Sequence, residues 1–215
     1  MTFTLDAQVA AVLAAATERS GPPPAPPAGD VASRRVALDV MLGYFNNQAQ
    51  PVAGKVDISD HSVVTPDGAT LLARWYRHPS GDSRAAVLYL HGGGMIAGSV
   101  PDPYIAPFAG WSYDDNATAW DALLGTGHEH REVDPAAAPG RLQDAAGLPP
   151  AYIEVGQLDI FRDEALRYAL TLSQAGVPVE LHLHPGVPHE YDAIAFGADV
   201  SHRAQSDRDR VLRSL

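Results

Sequence analysis

The chain contains no cysteine. Disulfides, thiolate nucleophiles and thiolate metal ligands are therefore excluded. Basic residues are scarce: 15 Lys and Arg stand against 26 Asp and Glu, for a formal net charge of −11. Binding to nucleic acid or an anionic membrane surface calls for a basic patch, so neither partner is expected. No apolar run approaches the ~20 residues of a membrane span. The opening stretch, MTFTLDAQVAAVLAAATERS, carries Asp6 and Glu18 and has no basic leader before its apolar part, which makes a cytoplasmic protein the expectation.

What is present fits one soluble globular domain: 215 residues, 46% hydrophobic and 19% charged, enough chain to bury a sizeable core. Residues 5–19 have the period of a short amphipathic helix, with Val9, Val12, Leu13 and Ala16 on one face. GPPPAPPAGD (21–30) is a stiff, extended linker. Asp30 is placed to cap a second helix, in which Val36, Val40 and Tyr44 recur every four residues. From residue 55 the period shortens. KVDISDHSVVT, TLLARWYRH and RAAVLYLH form three predicted strands joined by the turns PDG and PSGDS, the first two as a hairpin and the third buried on both faces.

Residues 101–150 are loop-rich, with one short predicted helix, TAWDALLG, that Thr118 would cap and Gly125 would end. A buried strand follows at 152–156, then the helix RDEALRYALTLSQAG, and then the strand VPVELHLHPG. In that strand Val179, Leu181 and Leu183 alternate against Glu180, His182 and His184, which places the histidines on an exposed face rather than at a metal. A final amphipathic helix runs from about Val200 to Leu215. Strand–helix–strand order implies a parallel crossover, and the fold class is α/β with a mixed, mostly parallel sheet.

Functional groups in open α/β sheets gather in the loops beyond the carboxyl ends of the strands. Three features fall there: His91-Gly92-Gly93-Gly94 after the third strand, Asp159 after the fourth, and His189 after the last. Each has a plainer reading. The glycines make a tight turn, Asp159 caps the helix starting near Phe161, and His189 is an ordinary loop histidine. Taken in order they match a catalytic apparatus in which an oxyanion loop precedes the acid and the acid precedes the histidine. His128 and His130 in GHEHRE lack a third positioned ligand, so no metal is expected there. Trp111, Tyr113 and Trp120 are expected to be packing residues rather than cofactor ligands.

HGGG followed by MIAGS, and later GLPPAYIEVGQLDIFRDEALRYALTLSQAGVPVELHLHPGVPHEYD, resembles the hormone-sensitive-lipase-like bacterial carboxylesterases of the α/β-hydrolase fold. That family carries HGGG, a late D-x-x-R-D-E and a G-x-x-H-[GE]-[FY]. The resemblance implies that Asp159 is the acid of a triad and that His189 is its general base and then acid. It implies that the N–H groups of Gly93 and Gly94 form the oxyanion hole, with His91 and Gly92 supporting the loop, and that no metal or cofactor is used. It further implies N-terminal cap helices over 1–50, a hydrolase core over 51–215 with a cap piece at about 101–130, and a small acyl ester as substrate.

One element of that pattern is missing: no G-x-S-x-G occurs in the chain. GDSRA (81–85) leads into a strand instead of following one, and neither Ser99 nor Ser112 lies in an elbow, so no nucleophile is identified. The family would place two further strand–helix units and a strand between Ser99 and PYIAPFAGW. At roughly 30 residues per unit, on the order of a hundred residues are absent. An internal deletion that removes the nucleophile is expected to leave apolar strand edges. A homodimer or domain swap would cover them, and the activity would be weak or lost. The alternative is a non-catalytic binding or assembly protein, or a deletion variant, derived from an esterase.

Overall fold

Alternating polar and apolar residues joined by a glycine turn give the chain its first sheet. In a computed structural model describing residues 3–20, 26–37, 56–66, 68–80, 86–88, 113–134 and 137–214, β1 (Asp57–Val64) pairs antiparallel with β2 (Thr70–Arg77). Gly68 at φ 85° makes the turn, where a side chain would be strained. The register sets Ile58 beside Tyr76 and Asp60 beside Arg74, and the last two form a two-pronged ion pair at 2.7 and 2.9 Å. The expected hairpin is thus present. The third predicted strand is represented by 86–88 alone, and these residues lie in no strand. The described strands number four, in two two-stranded sheets, and most of the third predicted strand lies outside the described residues.

The chain divides into two compact units, Tyr44–His91 and the combination of Met1–Gly43 with Gly92–Leu215. The first contains the hairpin. The second is built on β3 (Ala151–Gly156) and β4 (Val179–His184), which pair in parallel with Ala151 opposite Val179 and Gly156 opposite His184. A parallel pair needs a crossover, and α3 (Arg162–Gln174) supplies it. Leu172 on this helix is almost wholly buried with Ala145 and Val177, against Ile153, Tyr168 and Val179. Gly176 at φ 78° ends the helix, as its position in the sequence predicts.

Two further helices flank this unit. α1 (Ala7–Ser20) begins at Asp6, whose carboxylate accepts the N–H groups of Gln8 and Val9 at 2.9 and 3.2 Å. The last helix, α5 (Asp199–Arg213), follows a short α4 (Tyr191–Ile194). Val9 joins Val187, Tyr191, Ala195, Ala198, Val200 and Ala204 in one apolar cluster. Asp30 caps a helical stretch over 31–37, accepting the Ser33 N–H at 3.0 Å; the remainder of that predicted helix, including Val40 and Tyr44, lies outside the described residues.

Two expectations need correction. The predicted helix TAWDALLG starts five residues earlier, as α2 (Tyr113–Leu124), with Asp114 and Asp115 in its first turn. Thr118 is therefore inside the helix and no cap: its hydroxyl donates to the Asp114 carbonyl at 2.6 Å and accepts the Gly29 N–H at 2.8 Å. Gly125 does end it, at φ 79°. The faces of β4 are also reversed. Leu181 and Leu183 are about 40% exposed, at 39% and 40%, whereas His184 is 7% exposed. The polar face is covered because α5 brings arginines to it: Arg208 pairs with Glu154 and Asp192, and Arg210 pairs with Glu180.

Candidate active site

Beyond the end of β3 the chain turns through Gln157 and Leu158 into Asp159, and beyond β4 it turns through Gly186 into His189. Three hydrogen bonds join these loops. Gln157 N–H donates to the His184 carbonyl at 2.8 Å, Leu158 N–H to the Val187 carbonyl at 3.0 Å, and Gly186 N–H to the Gln157 Oε1 at 3.0 Å. Gly156 permits this approach. A Cβ there would sit 2.3 Å from the Val187 carbonyl oxygen and 2.9 Å from that of Pro188, well inside contact distance. In the sequence Gly156 reads as a strand end, and its one signal is a glycine close before the acid-bearing turn.

The loops bring Asp159 and His189 together. His189 Nδ1 lies 2.9 Å from Asp159 Oδ2. The other carboxylate oxygen accepts the Phe161 N–H at 2.9 Å, so the helix-capping reading of Asp159 and the pairing reading are both realised, one on each oxygen. Asp159 is 6% exposed, and the Phe161 ring meets the imidazole edge-on at 5.2 Å. Burial alone draws the His189 pKa down, but the hydrogen bond and charge of Asp159, with Glu190 and Asp192 nearby, outweigh it and hold the pKa above the ordinary histidine value. An Nδ1–H given to Asp159 leaves Nε2 as the basic nitrogen, the tautomer a general base requires.

Glu190, directly after His189, has φ 54°, a left-handed conformation that costs a non-glycine residue roughly 1–2 kcal/mol. The position is the one at which the family motif alternates between glycine and glutamate. His184 and Tyr191 lie behind the loop with rings 5.5 Å apart; burial lowers the pKa of the first and raises that of the second. His91, Gly92, Gly93 and Gly94 lie outside the described residues, as do Ser83, Ser99, Trp111 and Ser112. Trp120 packs with Val133 and Ala138 and stacks on His128 at 5.9 Å.

Metal ligands were expected nowhere. On the covered face of β4, Glu180, His182 and Asp207 bring one donor atom each within 4.8 Å of one another, a grouping invisible in sequence because Asp207 comes from α5. His182 there sits 2.7 Å from Glu180 and 3.4 Å from Asp207, and Arg210 pairs with both carboxylates.

A family model described as alpha/beta hydrolase fold matches residues 104–193, which include Asp159 and His189. The solved bacterial heroin esterase superposes with a TM-score of 0.76 at 21% identity, over 95% of each chain. The chain has the α/β-hydrolase fold. Brefeldin A esterase, described as a bacterial homologue of human hormone-sensitive lipase, gives a TM-score of 0.55 at 18% identity, over 96% of this chain and 94% of that one. Esterase LipI of Mycobacterium tuberculosis (strain ATCC 25618 / H37Rv) is 50% identical over 54 residues, 25% of this chain. That segment spans only 17% of LipI. The expected resemblance of this hydrolase-fold chain to esterases is thereby borne out over the segments matched. Among the described residues, no helix is long and apolar enough to cross a membrane.

Proposed function

We propose that this chain is a carboxylic ester hydrolase by descent, in which Asp159 and His189 are the acid–base half of a triad whose serine is missing. The observation that carries the reading is the 2.9 Å contact between the Asp159 carboxylate and His189 Nδ1. Nε2 of His189 takes the proton of the attacking hydroxyl or water and returns it to the leaving alkoxide, while Asp159 stabilises the imidazolium formed between. Gly93 and Gly94 are assigned the oxyanion, at about 3–4 kcal/mol per donor, with His91 and Gly92 shaping their loop. Acyl esters are the substrate class, and no metal or cofactor is needed.

Serine is the difficulty. Removing the nucleophile from a serine hydrolase lowers kcat about a millionfold, so only slow hydrolysis by His189-activated water is expected. The absence of G-x-S-x-G favours a second reading, a non-catalytic binding or assembly protein that kept the pair. We place the cap helices in 1–50 and the shortened core in 51–215, with a cap remnant at about 101–130. The shortening is an internal deletion after Ser99. A homodimer or strand swap covers the resulting edges, and the cytoplasm is the assigned compartment.

Turnover of p-nitrophenyl acetate and labelling by a fluorophosphonate test the reading. Turnover that is slow, lost in His189→Ala and accompanied by no labelled serine supports it. Rapid turnover with a labelled serine overturns the missing nucleophile, and no His189-dependent turnover favours the binding protein. Sedimentation separates dimer from monomer.

A further inference from the structure

Residues 3–6 run along both loops that carry the Asp159–His189 pair. On the histidine side, Asp6 N–H donates to the Gly186 carbonyl at 2.7 Å. The approach is close: a Cβ on Gly186 would lie 2.9 Å from Asp6 N and 3.0 Å from the Thr4 carbonyl oxygen. On the aspartate side, Phe3 and Leu5 pack against Leu158 and Ile160, the residues flanking Asp159. The Arg162 guanidinium lies over the Phe3 ring at 5.6 Å and also donates to the Gln157 carbonyl at 3.3 Å. The segment is fixed downstream as well, since Asp6 caps α1 and Val9 is buried with Val187.

We infer that this N-terminal strap is a positioning element for the acid–base pair, with Phe3 and Leu5 its working residues. The pair's two members sit on separate loops, and a hydrogen bond needs its donor and acceptor within about 3.2 Å of each other and close to in line. Phe3 and Leu5 pack on the aspartate turn while Asp6 holds the histidine turn, so the strap sets the spacing between the loops. The inference rests on the proposed function only for its catalytic meaning; the pairing it controls is measurable without turnover.

The test is the NMR titration of His189 and the downfield signal of its Nδ1 proton, in the full chain. In the Phe3→Ala/Leu5→Ala variant the His189 pKa falls back toward the ordinary value of about 6.5 and the downfield proton is lost, while Phe3→Tyr retains both. Leu172→Ala, which weakens the core beneath α3, lowers stability and leaves the His189 signals in place. A folded Phe3→Ala/Leu5→Ala protein with an unchanged titration and proton signal overturns the inference. If the double variant does not fold, Leu5→Ala alone is read by the same two signals. Asp159→Asn separates the two ideas: if it leaves the His189 titration unmoved, the pairing itself is wrong, whatever the strap does.

Discussion

The two sheets have the same number of strands and opposite surroundings. Every residue of strands β1 and β2 is exposed, including Leu72 at 68% and Tyr76 at 62%. In the β3–β4 pair, Val155 and His184 are buried, α3 packs on the strands and α5 supplies arginines to their polar side chains. The difference shows what hydrogen-bonded pairing alone achieves. Both sheets satisfy their ladders, but among the described residues it is the second whose strands bury apolar side chains, at roughly 25 cal/mol per Å². The loops that bring Asp159 to His189 grow from the sheet that has support.

The contrast can be broken by mutation. Leu172→Ala, beneath the parallel pair, is expected to lower the unfolding free energy by about 2–5 kcal/mol in urea denaturation, because it leaves a cavity at a wholly buried site. Gly156→Ala should cost about 1–3 kcal/mol by overpacking and should also remove the His189–Asp159 hydrogen bond, since the new methyl group would push the carbonyls of Val187 and Pro188 away. A stable Gly156→Ala protein with the pair intact would show that the close approach is unnecessary.

A pH comparison gives a smaller effect. Burial against the 139–141 turn pushes the Glu164 carboxyl up to about 7. Its folded pKa exceeds the unfolded value, so its contribution to stability is present at low pH and is lost as the pH rises through about 7. His189 has the same sign and His184 the opposite one, because its folded pKa is lowered. Thermal unfolding between pH 5 and 8 should therefore show wild type losing stability relative to Glu164→Gln as pH rises, with both histidine contributions cancelling in the difference. Least of all, Leu72→Ser on the hairpin should change stability by no more than about 0.5 kcal/mol; a loss of 2 kcal/mol or more would mean that something covers that strand.

Legibility in the sequence follows the same division. Both strands and the crossover helix of the supported unit are readable, because Gly176 and the acidic first turn mark the helix and apolar runs mark the strands. Asp159 and His189 are readable from the order of motifs. Gly156 is not, since its necessity arises from carbonyls 31 and 32 positions later that press on it. The covered face of β4 is misread for a related reason. Alternation assigns burial to leucines, and only the arrival of Arg208 and Arg210 makes a face of Glu180, His182 and His184 the covered one. Thr118 misleads because a threonine ahead of an apolar run marks a helix start as readily as an interior hydroxyl bonded to the carbonyl four residues back.

The tie between α1 and α5 has a consequence for synthesis. Gln8 and Asp199 hydrogen-bond to each other across 191 positions of chain. At roughly 5–20 residues per second, Gln8 is made about 10–40 s before its partner exists. Over that interval Phe3 and Leu5 gain Leu158 and Ile160, but Val9 still lacks Val200 and Ala204, so the packing of α1 is completed only once α5 has been made.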